Sequence, residues 1–418
     1  MPSSQEYVPH IVFAGGVTGG HLFPGLAIAE QLAATRPGVR ITFLGAGTAF
    51  DRTYVARAGH RYVHIDCPRS PRQVLETAKF GYRMLRGFRA ATDFLRSQRA
   101  SLVVGLGGFA SLPTGLAAAR LKLPLVLLEQ NMIVGRANRR LAAWAHALCL
   151  SFEDTRWSPA HAGIPARYPT VVTGTPVRRR FLQVANDHRK VAKRQQLSGD
   201  NMPSERTFDS EKPILLVLGG SGGARLLNQT MPAVVTALRD KLQHWQIVHQ
   251  TGPGQVAMTR AAYASARIAA TVEPFFDDVP TLLARARFVV CRPGGSTLAE
   301  LSALGVPAIL IPFAAATDDH QRHNALAFAA AGGAVVVDSD NREPAALTEQ
   351  LARAIRELIA NPGRCLAMAE ALECLSHPHA ARHISEIVRQ FSGKLARIND
   401  QQSPAPPAPP PYIDSRAA

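Results

Sequence analysis

The sequence contains few cysteines and no long apolar run. It has 5 cysteines in 418 residues, and none of them form a CxxC pair. This composition argues against a disulfide framework or a zinc ribbon and predicts a reducing cytosol. No apolar run reaches the ~18 residues of a spanning helix, and the first residues lack the basic start of a signal peptide. We therefore expect a protein that is neither secreted nor integral to a membrane.

Acidic residues are also few relative to basic ones. Asp and Glu number 31 against 47 Lys and Arg, which gives a formal net charge of +16. This balance predicts an anionic partner, which is a nucleic acid, a membrane surface or a phosphorylated substrate. Hydrophobic residues make up 46% of the chain, so its length allows two domains with sizeable cores.

An apolar strand followed by a glycine-rich loop and a helix occurs twice. Ile11–Ala14 leads into the loop at 15–20 and the helical stretch Pro24–Ala33, and Ile214–Leu218 leads into the loop at 219–223. Helical stretches separate most of the further strand candidates, which are Arg40–Leu44, Leu102–Leu106, Leu125–Leu128, Thr170–Thr173, Gln246–Gln250, Ala269–Val272, Phe288–Cys291, Ala308–Ile311 and Ala334–Val337. The pattern predicts two α/β halves with parallel sheets that are covered on both faces.

The glycine loops are candidate anion sites. A loop between a strand and a helix presents main-chain N–H groups at the positive end of the helix dipole, and glycine lets a phosphate approach closely. Neither loop has a dinucleotide-binding or P-loop spacing. A tight turn with positive φ is the structural alternative, but two loops in matching places favour anion binding.

A third strand-to-helix junction lies in the second half, at 292–300. Thr297 and Glu300 have the spacing of a capping box, in which each would cap the helix start. The functional alternative is a diphosphate at the helix start and a ribose held by the Glu300 carboxylate. Both interpretations stay open from the residues alone.

Polar side chains follow other predicted strands. His21 follows the first glycine loop, and it is either structural or a proton acceptor in the cleft at the strand ends. Glu129–Asn131 can orient sugar hydroxyls or tie loops together. The spacing of Asp318–His320 argues against a metal site because adjacent side chains diverge, so we expect helix capping and sugar contact there.

The stretch Arg69–Arg99 is strongly basic, with a net charge of +6 from eight basic and two acidic residues. Met84, Leu85 and Phe88 share one face of a predicted helix. The stretch is an ordinary surface helix with its apolar face in the core, or a patch for an anionic membrane surface. Nucleic-acid binding ranks last because no nucleic-acid-binding motif accompanies the charge.

The remaining segments are polar or rich in proline. We predict a polar, partly basic loop or linker insertion at 183–213 and a final helix at Ala380–Ile398. Residues 399–418 contain SPAPPAPPPY, which predicts a disordered tail.

Five segments carry a resemblance to a known family: GGVTGGHLFPGLAIA, LEQN at 128–131, GTPVR at 174–178, LGGSGGARLLN at 218–228, and CRPGGSTLAELSALGVPAILIPF followed by DDHQ. In this order they resemble the MurG family of glycosyltransferase family 28, over about residues 10 to 390. The resemblance implies a GT-B fold, with two Rossmann-like, doubly wound parallel-sheet domains that face each other across a cleft. It implies an acceptor and membrane-binding domain at 8–182 and a UDP-N-acetylglucosamine (UDP-GlcNAc) domain at 214–398, whose last helix crosses back.

The resemblance also implies a reaction. N-acetylglucosamine (GlcNAc) moves with inversion from UDP to the C4 hydroxyl of the N-acetylmuramoyl sugar of lipid I, which is undecaprenyl-pyrophosphoryl-MurNAc-pentapeptide, and the product is lipid II for peptidoglycan synthesis. The implied partners are UDP-GlcNAc, lipid I, an anionic membrane surface, and the cell-wall and division machinery, with no nucleic acid. The implied location is peripheral, on the cytoplasmic face of the inner membrane.

The family's sugar-nucleotide contacts carry onto matching positions of this sequence, namely Thr18, Gly19, Gly20, Asn131, Arg178, Ser221, Phe276, Gly295, Ser296, Thr297, Leu298, Ala299, Glu300 and Gln321. His21 is the candidate general base. No metal site and no tightly bound cofactor are implied, and assistance from a free divalent cation is left open.

Three positions depart from the family's pattern. Leu128 stands where His is common, and Phe109 lacks the phenol hydroxyl of a GGY-type segment. Phe276 replaces a smaller aliphatic residue, but a backbone contact to uracil would survive that change.

Two alternatives remain. A related transferase that glycosylates diacylglycerol would share the nucleotide site. A nucleotide-binding or membrane-scaffold protein without catalytic activity could have the same net positive charge.

Overall fold

The computed structural model describes residues 8–67, 76–161, 163–197, 212–313, 317–338 and 344–402. The N-terminal domain is built on a parallel sheet of seven strands in the order β3-β2-β1-β4-β5-β6-β7. These strands are β1 (His10–Ala14), β2 (Arg40–Gly45), β3 (Arg61–His64), β4 (Leu102–Gly105), β5 (Leu125–Glu129), β6 (Ala147–Leu150) and β7 (Thr170–Val172).

Helices cover both faces of this sheet. They are α1 (Gly19–Thr35), α2 (Ala49–Arg57), α3 (Glu76–Ser97), α4 (Leu112–Arg120) and α5 (Arg136–Leu141). In β1, Ile11 and Phe13 pack into one core cluster, and Val12 and Ala14 pack into the cluster on the opposite face. A strand that is buried on both faces has to be apolar at every position, which explains the continuous apolar run.

The C-terminal domain repeats this arrangement with six parallel strands in the order β10-β9-β8-β11-β12-β13. Its strands are β8 (Ile214–Leu218), β9 (Gln246–Gln250), β10 (Ala270–Glu273), β11 (Ala286–Cys291), β12 (Ala308–Leu310) and β13 (Ala334–Val336). The remaining helices are α6 (Arg179–Leu197), α7 (Arg225–Ala237), α8 (Arg239–Leu242), α9 (Val256–Ser265), α10 (Val279–Arg285), α11 (Gly295–Leu304), α12 (His320–Ala330), α13 (Pro344–Ala360), α14 (Pro362–Cys374) and α15 (Ala380–Gln402).

The prediction of a loop or linker over 183–213 is wrong for its first part. Residues up to Leu197 continue α6, and Phe181, Val184 and Ala185 are buried in the C-terminal core. The polar composition is misleading because only one face of this helix is apolar. The following residues, 198–211, lie outside the described part of the chain.

The final helix is longer than predicted and returns to the N-terminal domain. α15 extends to Gln402, whereas the sequence predicts its end at Ile398. Ile384 and Val388 pack into an N-terminal core cluster, and α15 contacts α1. The proline-rich residues from 403 onward lie outside the described residues. Across the ranges that the structure describes, no helix is both long and apolar enough to cross a membrane.

Each sheet reverses its strand order at one place, between β1 and β4 in the first and between β8 and β11 in the second. The loops that leave neighbouring strands there run to opposite faces and open a crevice at the carboxyl ends of the strands. The fold therefore places four loops around one crevice, and three of them contain the glycine-rich and helix-start motifs found in the sequence.

Candidate active site

A cavity of about 1150 Å³ lies between the two domains. Residues after β1, β4, β5, β8 and β11 line it, so both points of strand reversal open into the same space. Most of the predicted site residues line this cavity, namely Thr18, Gly19, Gly20, His21, Asn131, Arg178, Ser221, Gly295, Ser296, Thr297, Glu300 and Gln321.

The first glycine loop is held by a buried carboxylate that the sequence analysis did not identify. The Val17 N–H donates to Asp51 Oδ1 at 2.8 Å, and a Cβ on Gly16 would lie 2.9 Å from the same oxygen. Gly16 also has a φ of 116°, which L side chains rarely adopt. The only local sequence signal near Asp51 is the helix N-cap Thr48. Its side chain accepts a hydrogen bond from Asp51 N and marks the start of α2.

The two domains meet at the cavity through main-chain atoms and one serine hydroxyl. The Gly19 N–H of the first glycine loop donates to Ser221 Oγ of the second at 3.0 Å. A Cβ on Gly295 would lie only 2.1 Å from the Gln130 carbonyl oxygen. A glycine is therefore required at the start of α11 for this approach of the domains.

His21 lies at the N-terminal side of the cavity. Its Nδ1 is 3.1 Å from Thr18 Oγ1, and its ring packs beside Gly107. Loss of hydration on burial, with a smaller contribution from nearby His320, lowers the pKa of His21 to about 4. The imidazole is thus neutral near pH 7 and has a lone pair that can accept a proton.

Glu300 lies on the C-terminal side of the cavity, and it does not form the capping box that was one of two interpretations of its spacing from Thr297. Gly294 is the N-cap of α11, with no side-chain hydrogen bond, and Thr297 and Glu300 lie inside the helix. Burial raises the pKa of Glu300 to about 7, and the Arg178 guanidinium opposes this rise from 3.7 Å. A helix start left uncapped by side chains keeps its N–H groups available for an anion.

Arg178 completes this side of the cavity. Its guanidinium carbon lies 4.1 Å from the centre of the Phe23 ring and 5.0 Å from that of Phe181. Within the described chain, its buried Nε has no hydrogen-bond partner. The side chain is thus held by aromatic rings while one donor remains unused.

Three predicted contact residues direct their side chains elsewhere. Leu298 is fully buried in the C-terminal core, and Ala299 lines a separate small cavity. Phe276 packs against the same core, and its N–H donates to Gln250 Oε1 at 3.3 Å. The neighbouring Phe275 lines the main cavity instead. Only main-chain contacts to a ligand remain for these three positions.

Glu129 ties loops together, which was one of two alternatives for this segment. Its buried carboxylate accepts hydrogen bonds from Asn131 N, Asn131 Nδ2, Gly135 N and Asn138 Nδ2 at 2.7–3.1 Å. Burial raises the pKa of Glu129, and these hydrogen bonds oppose the rise. Gln130 donates to the Leu106 carbonyl, so it also supports a neighbouring loop.

The acidic pair before α12 does not cap that helix through its side chains. Asp319 occupies the N-cap position without a side-chain hydrogen bond, and Asp318 forms ion pairs with Arg136 and Arg139. The capping prediction is therefore wrong. Among the residues described, no group of three or more His, Cys, Asp or Glu side chains could hold a metal ion.

Two residues of the N-terminal domain that depart from the family's pattern, Leu128 and Phe109, have different environments. Leu128 is buried in the core, so its side chain does not reach the cavity. Phe109 lines the cavity, and its ring packs edge-on to Phe80 of α3 at 6.2 Å. Phe109 therefore connects the cavity to the basic helix.

Comparisons with known proteins agree with this architecture. The N-terminal domain of glycosyltransferase family 28 matches residues 11–149, and the C-terminal domain of that family matches residues 214–384. MurG from Acinetobacter baumannii has a similar structure, with a TM-score of 0.64 and 26% identity over 91% of this chain and 99% of that one. The chain belongs to the MurG family. The resemblance and the GT-B fold expected from the sequence are confirmed, and the protein is a glycosyltransferase.

Sequence relatives of this MurG-family chain share one name. The protein named UDP-N-acetylglucosamine--N-acetylmuramyl-(pentapeptide) pyrophosphoryl-undecaprenol N-acetylglucosamine transferase from Xylella fastidiosa strain M12 is 39% identical, over 93% of this chain and 97% of the relative. Its counterpart from Xanthomonas axonopodis pv. citri strain 306 is 37% identical, over 92% of this chain and 82% of the relative. A UDP-GlcNAc 2-epimerase from Neisseria meningitidis, with a TM-score of 0.60 and 15% identity, is similar in fold alone.

Proposed function

We propose that this chain transfers GlcNAc from UDP-GlcNAc to the MurNAc C4 hydroxyl of lipid I, with inversion, and so forms lipid II. The observation that carries the proposal is one interdomain cavity with an uncapped helix start, Ser221 and Glu300 on one side and His21 on the other. The name shared by the relatives supplies the identity of donor and acceptor. This reaction places the chain in peptidoglycan synthesis, and through it in cell-wall growth, cell shape and division.

The C-terminal side of the cavity suits the sugar nucleotide. The free N–H groups at the start of α11 and the Ser221 hydroxyl can bind the diphosphate, and they stabilise the charge that develops as UDP leaves. The Glu300 carboxylate can accept hydrogen bonds from ribose hydroxyls. The unused Nε of Arg178 can donate to the nucleotide. Main-chain amides and a guanidinium thus provide the stabilisation without a tightly bound cofactor.

The N-terminal side suits the acceptor alcohol. Inversion by direct displacement requires the attacking oxygen on the sugar face opposite the diphosphate, and therefore a base on that side. His21 is neutral and lies in the domain opposite Glu300, so it can take the proton of the C4 hydroxyl. Holding both substrates in line in one cavity can contribute about 7–11 kcal/mol to lowering the barrier.

The exposed face of α3 suits a membrane surface. Tyr82 is 66% exposed and Leu85 is 46% exposed, whereas Met84 and Phe88 pack against the core. The prediction that Met84, Leu85 and Phe88 share one face is therefore wrong for Leu85. Lys79, Arg83, Arg86 and Arg89 flank the two exposed side chains along the helix, and Arg83 and Arg86 also pair with Asp66. A basic residue contributes about 1 kcal/mol near an anionic leaflet. We place the chain as a peripheral protein on the cytoplasmic face of the inner membrane, where a lipid-linked acceptor resides. Arg69 and Arg72 of the basic stretch lie outside the described residues.

A transfer assay tests the proposed reaction directly. Radiolabelled UDP-GlcNAc is incubated with the protein and either a short-chain lipid I analogue or diacylglycerol. We expect a labelled disaccharide product from lipid I alone, with UDP release that depends on the acceptor. Labelling of diacylglycerol would identify the related lipid transferase instead, and the absence of acceptor-dependent UDP release would contradict the proposal.

A further inference from the structure

A shielded ion-pair cluster joins the two domains beside the cavity. Asp318 precedes α12 of the C-terminal domain, and its carboxylate contacts two arginines of α5 in the N-terminal domain. Asp318 Oδ1 is 2.9 Å from Arg136, and Oδ2 is 2.5 Å from Arg139. The Asp318 and Arg139 side chains are only 17% and 19% exposed. Arg136 is 52% exposed. A shielded carboxylate that engages two guanidinium groups, one of them also shielded, contributes more than an exposed pair.

A second interdomain ion pair provides a contrast. Arg57 and Asp277 lie 2.8 Å apart, and they are 57% and 74% exposed. Solvent screens a pair of this kind, so it contributes little. Two ion pairs between the same domains thus differ in shielding, and Asp318 and Arg136 line the cavity whereas Arg57 and Asp277 do not.

The backbone at Asp318 is held in an unfavourable conformation. Asp318 and Asp319 have φ angles of 54° and 50°, in the left-handed region that costs energy for residues other than glycine. Such a conformation persists when contacts around it hold it in place, and the two arginines provide these contacts. The next residues, His320 and Gln321, begin α12 and line the cavity. The ion pairs therefore fix the direction in which the helix start presents Gln321.

One turn further along α12, Asn324 makes a second connection to the same N-terminal segment. Its fully buried amide accepts from Met132 N at 2.8 Å and donates to Asn131 Oδ1 at 3.0 Å. The amide also donates to the Pro293 carbonyl at 3.1 Å, just before α11. The segment 131–139 is thus attached at both ends to α12, and Asn131 at one end lines the cavity.

We propose that Asp318 is a positioning residue that couples donor binding to acceptor binding. Its ion pairs with Arg136 and Arg139 can form only when the domains are together, so they favour the arrangement in which segment 131–139 and Gln321 face the same cavity. Binding of either substrate to that arrangement then favours binding of the other. This inference rests on the proposed transferase function and adds a residue to which the family resemblance assigns no role.

The test compares D318N with D277N, which removes the carboxylate of the exposed interdomain pair. For each protein we measure the affinity for the short-chain lipid I analogue with and without saturating UDP, as well as kcat and both KM values. In the wild type, UDP should tighten acceptor binding by about tenfold, which is a common size for coupling between sites. Because loss of the ion pairs lowers the population of the docked arrangement, D318N should weaken acceptor binding in the absence of UDP and enlarge the tightening by UDP by at least about threefold over the wild type, whereas D277N should keep the wild-type factor. A role in folding alone would not change the coupling of a protein that remains folded.

A coupling factor in folded D318N equal to that of the wild type would overturn the proposal. Should D318N unfold, R136Q removes the more exposed arginine and should change the coupling in the same direction by a smaller factor, and unchanged coupling in R136Q would also contradict the proposal. In addition, D318R and R139D should each weaken acceptor binding in the absence of UDP, and the double variant should recover part of that affinity. If the wild-type protein transferred no sugar, that result would instead refute the proposed function. The two failures can therefore be distinguished.

Discussion

Burial sets the protonation states of two side chains on opposite sides of the cavity. His21 has its pKa lowered to about 4, and Glu300 has its pKa raised to about 7. In both cases loss of hydration disfavours the charged form. Near neutral pH, His21 is a neutral proton acceptor and Glu300 is close to its titration midpoint. The cavity therefore has a neutral base, His21, on one side and a pH-sensitive hydrogen-bond acceptor, Glu300, on the other.

Removal of the His21 imidazole should slow turnover without weakening donor binding. In His21→Ala we expect kcat for transfer to lipid I to fall by at least about 100-fold, as for other general bases. The KM for UDP-GlcNAc should change by less than about threefold, since the diphosphate contacts lie in the other domain. His21→Gln keeps an acceptor beside Thr18 without a basic nitrogen and should show a similar loss. Near-normal kcat in either variant would remove His21 as the base.

Donor affinity should depend on pH through Glu300. Its raised pKa means that the carboxylate is lost as pH falls through about 7, and with it the acceptor for ribose hydroxyls. Between pH 8 and pH 6 the ionised fraction falls about tenfold, so the Kd for UDP-GlcNAc should rise by about that factor. Calorimetric titration at both pH values measures the change. Glu300→Gln should bind weakly at both values, and a pH dependence that persists in this variant would assign the effect to another group.

At the scale of elements, the sequence predicts the apolar, buried strands. It does not predict which face of a helix is buried. The apolar runs of β1, β5, β8 and β11 predict buried strands at nearly the observed bounds. Arg61–His64 was missed because its ends are exposed and its residues are mostly polar. β6 (Ala147–Leu150) was missed although it is apolar and buried.

α6 and α3 show that the sequence does not reveal which face of a helix is buried. The polar residues of α6 concealed its helical pattern in the sequence, and its few apolar residues are buried in the C-terminal core. In α3, helical spacing grouped Leu85 with Met84 and Phe88, but the neighbours supplied by the tertiary fold leave Leu85 exposed. Which side of a helix is covered depends on elements distant in the sequence.

The exposed face of α3 gives a prediction at this scale. Replacing Tyr82 and Leu85 together by Ser should reduce sedimentation with vesicles of anionic lipid by about tenfold, since two apolar side chains no longer enter the interface. Turnover of a water-soluble lipid I analogue should stay within about twofold of the wild type, because neither side chain lines the cavity. Met258→Ser, which removes another exposed apolar side chain from α9, is the matched control. Unchanged sedimentation of the double variant at low salt would contradict the membrane assignment.

At the scale of the whole molecule, contacts between the domains complete the site, and the sequence did not predict them. Motif order indicates that the glycine loops, Arg178 and Glu300 belong to one site, but no local pattern places Ser221 against Gly19 or Asp318 against Arg139. The Thr297 and Glu300 spacing left a capping box and ligand binding both open, because the sequence does not reveal that Arg178 approaches Glu300 from the segment before α6. Such contacts arise only where the two domains meet in the folded chain.

The most direct measurement of the central claim is a crystal structure of the protein with UDP-GlcNAc. We predict the diphosphate at the start of α11, beside Ser221, with the ribose hydroxyls against Glu300 and the anomeric carbon open towards His21. A nucleotide bound outside the interdomain cavity, or within it but away from Ser221 and Glu300, would contradict the account.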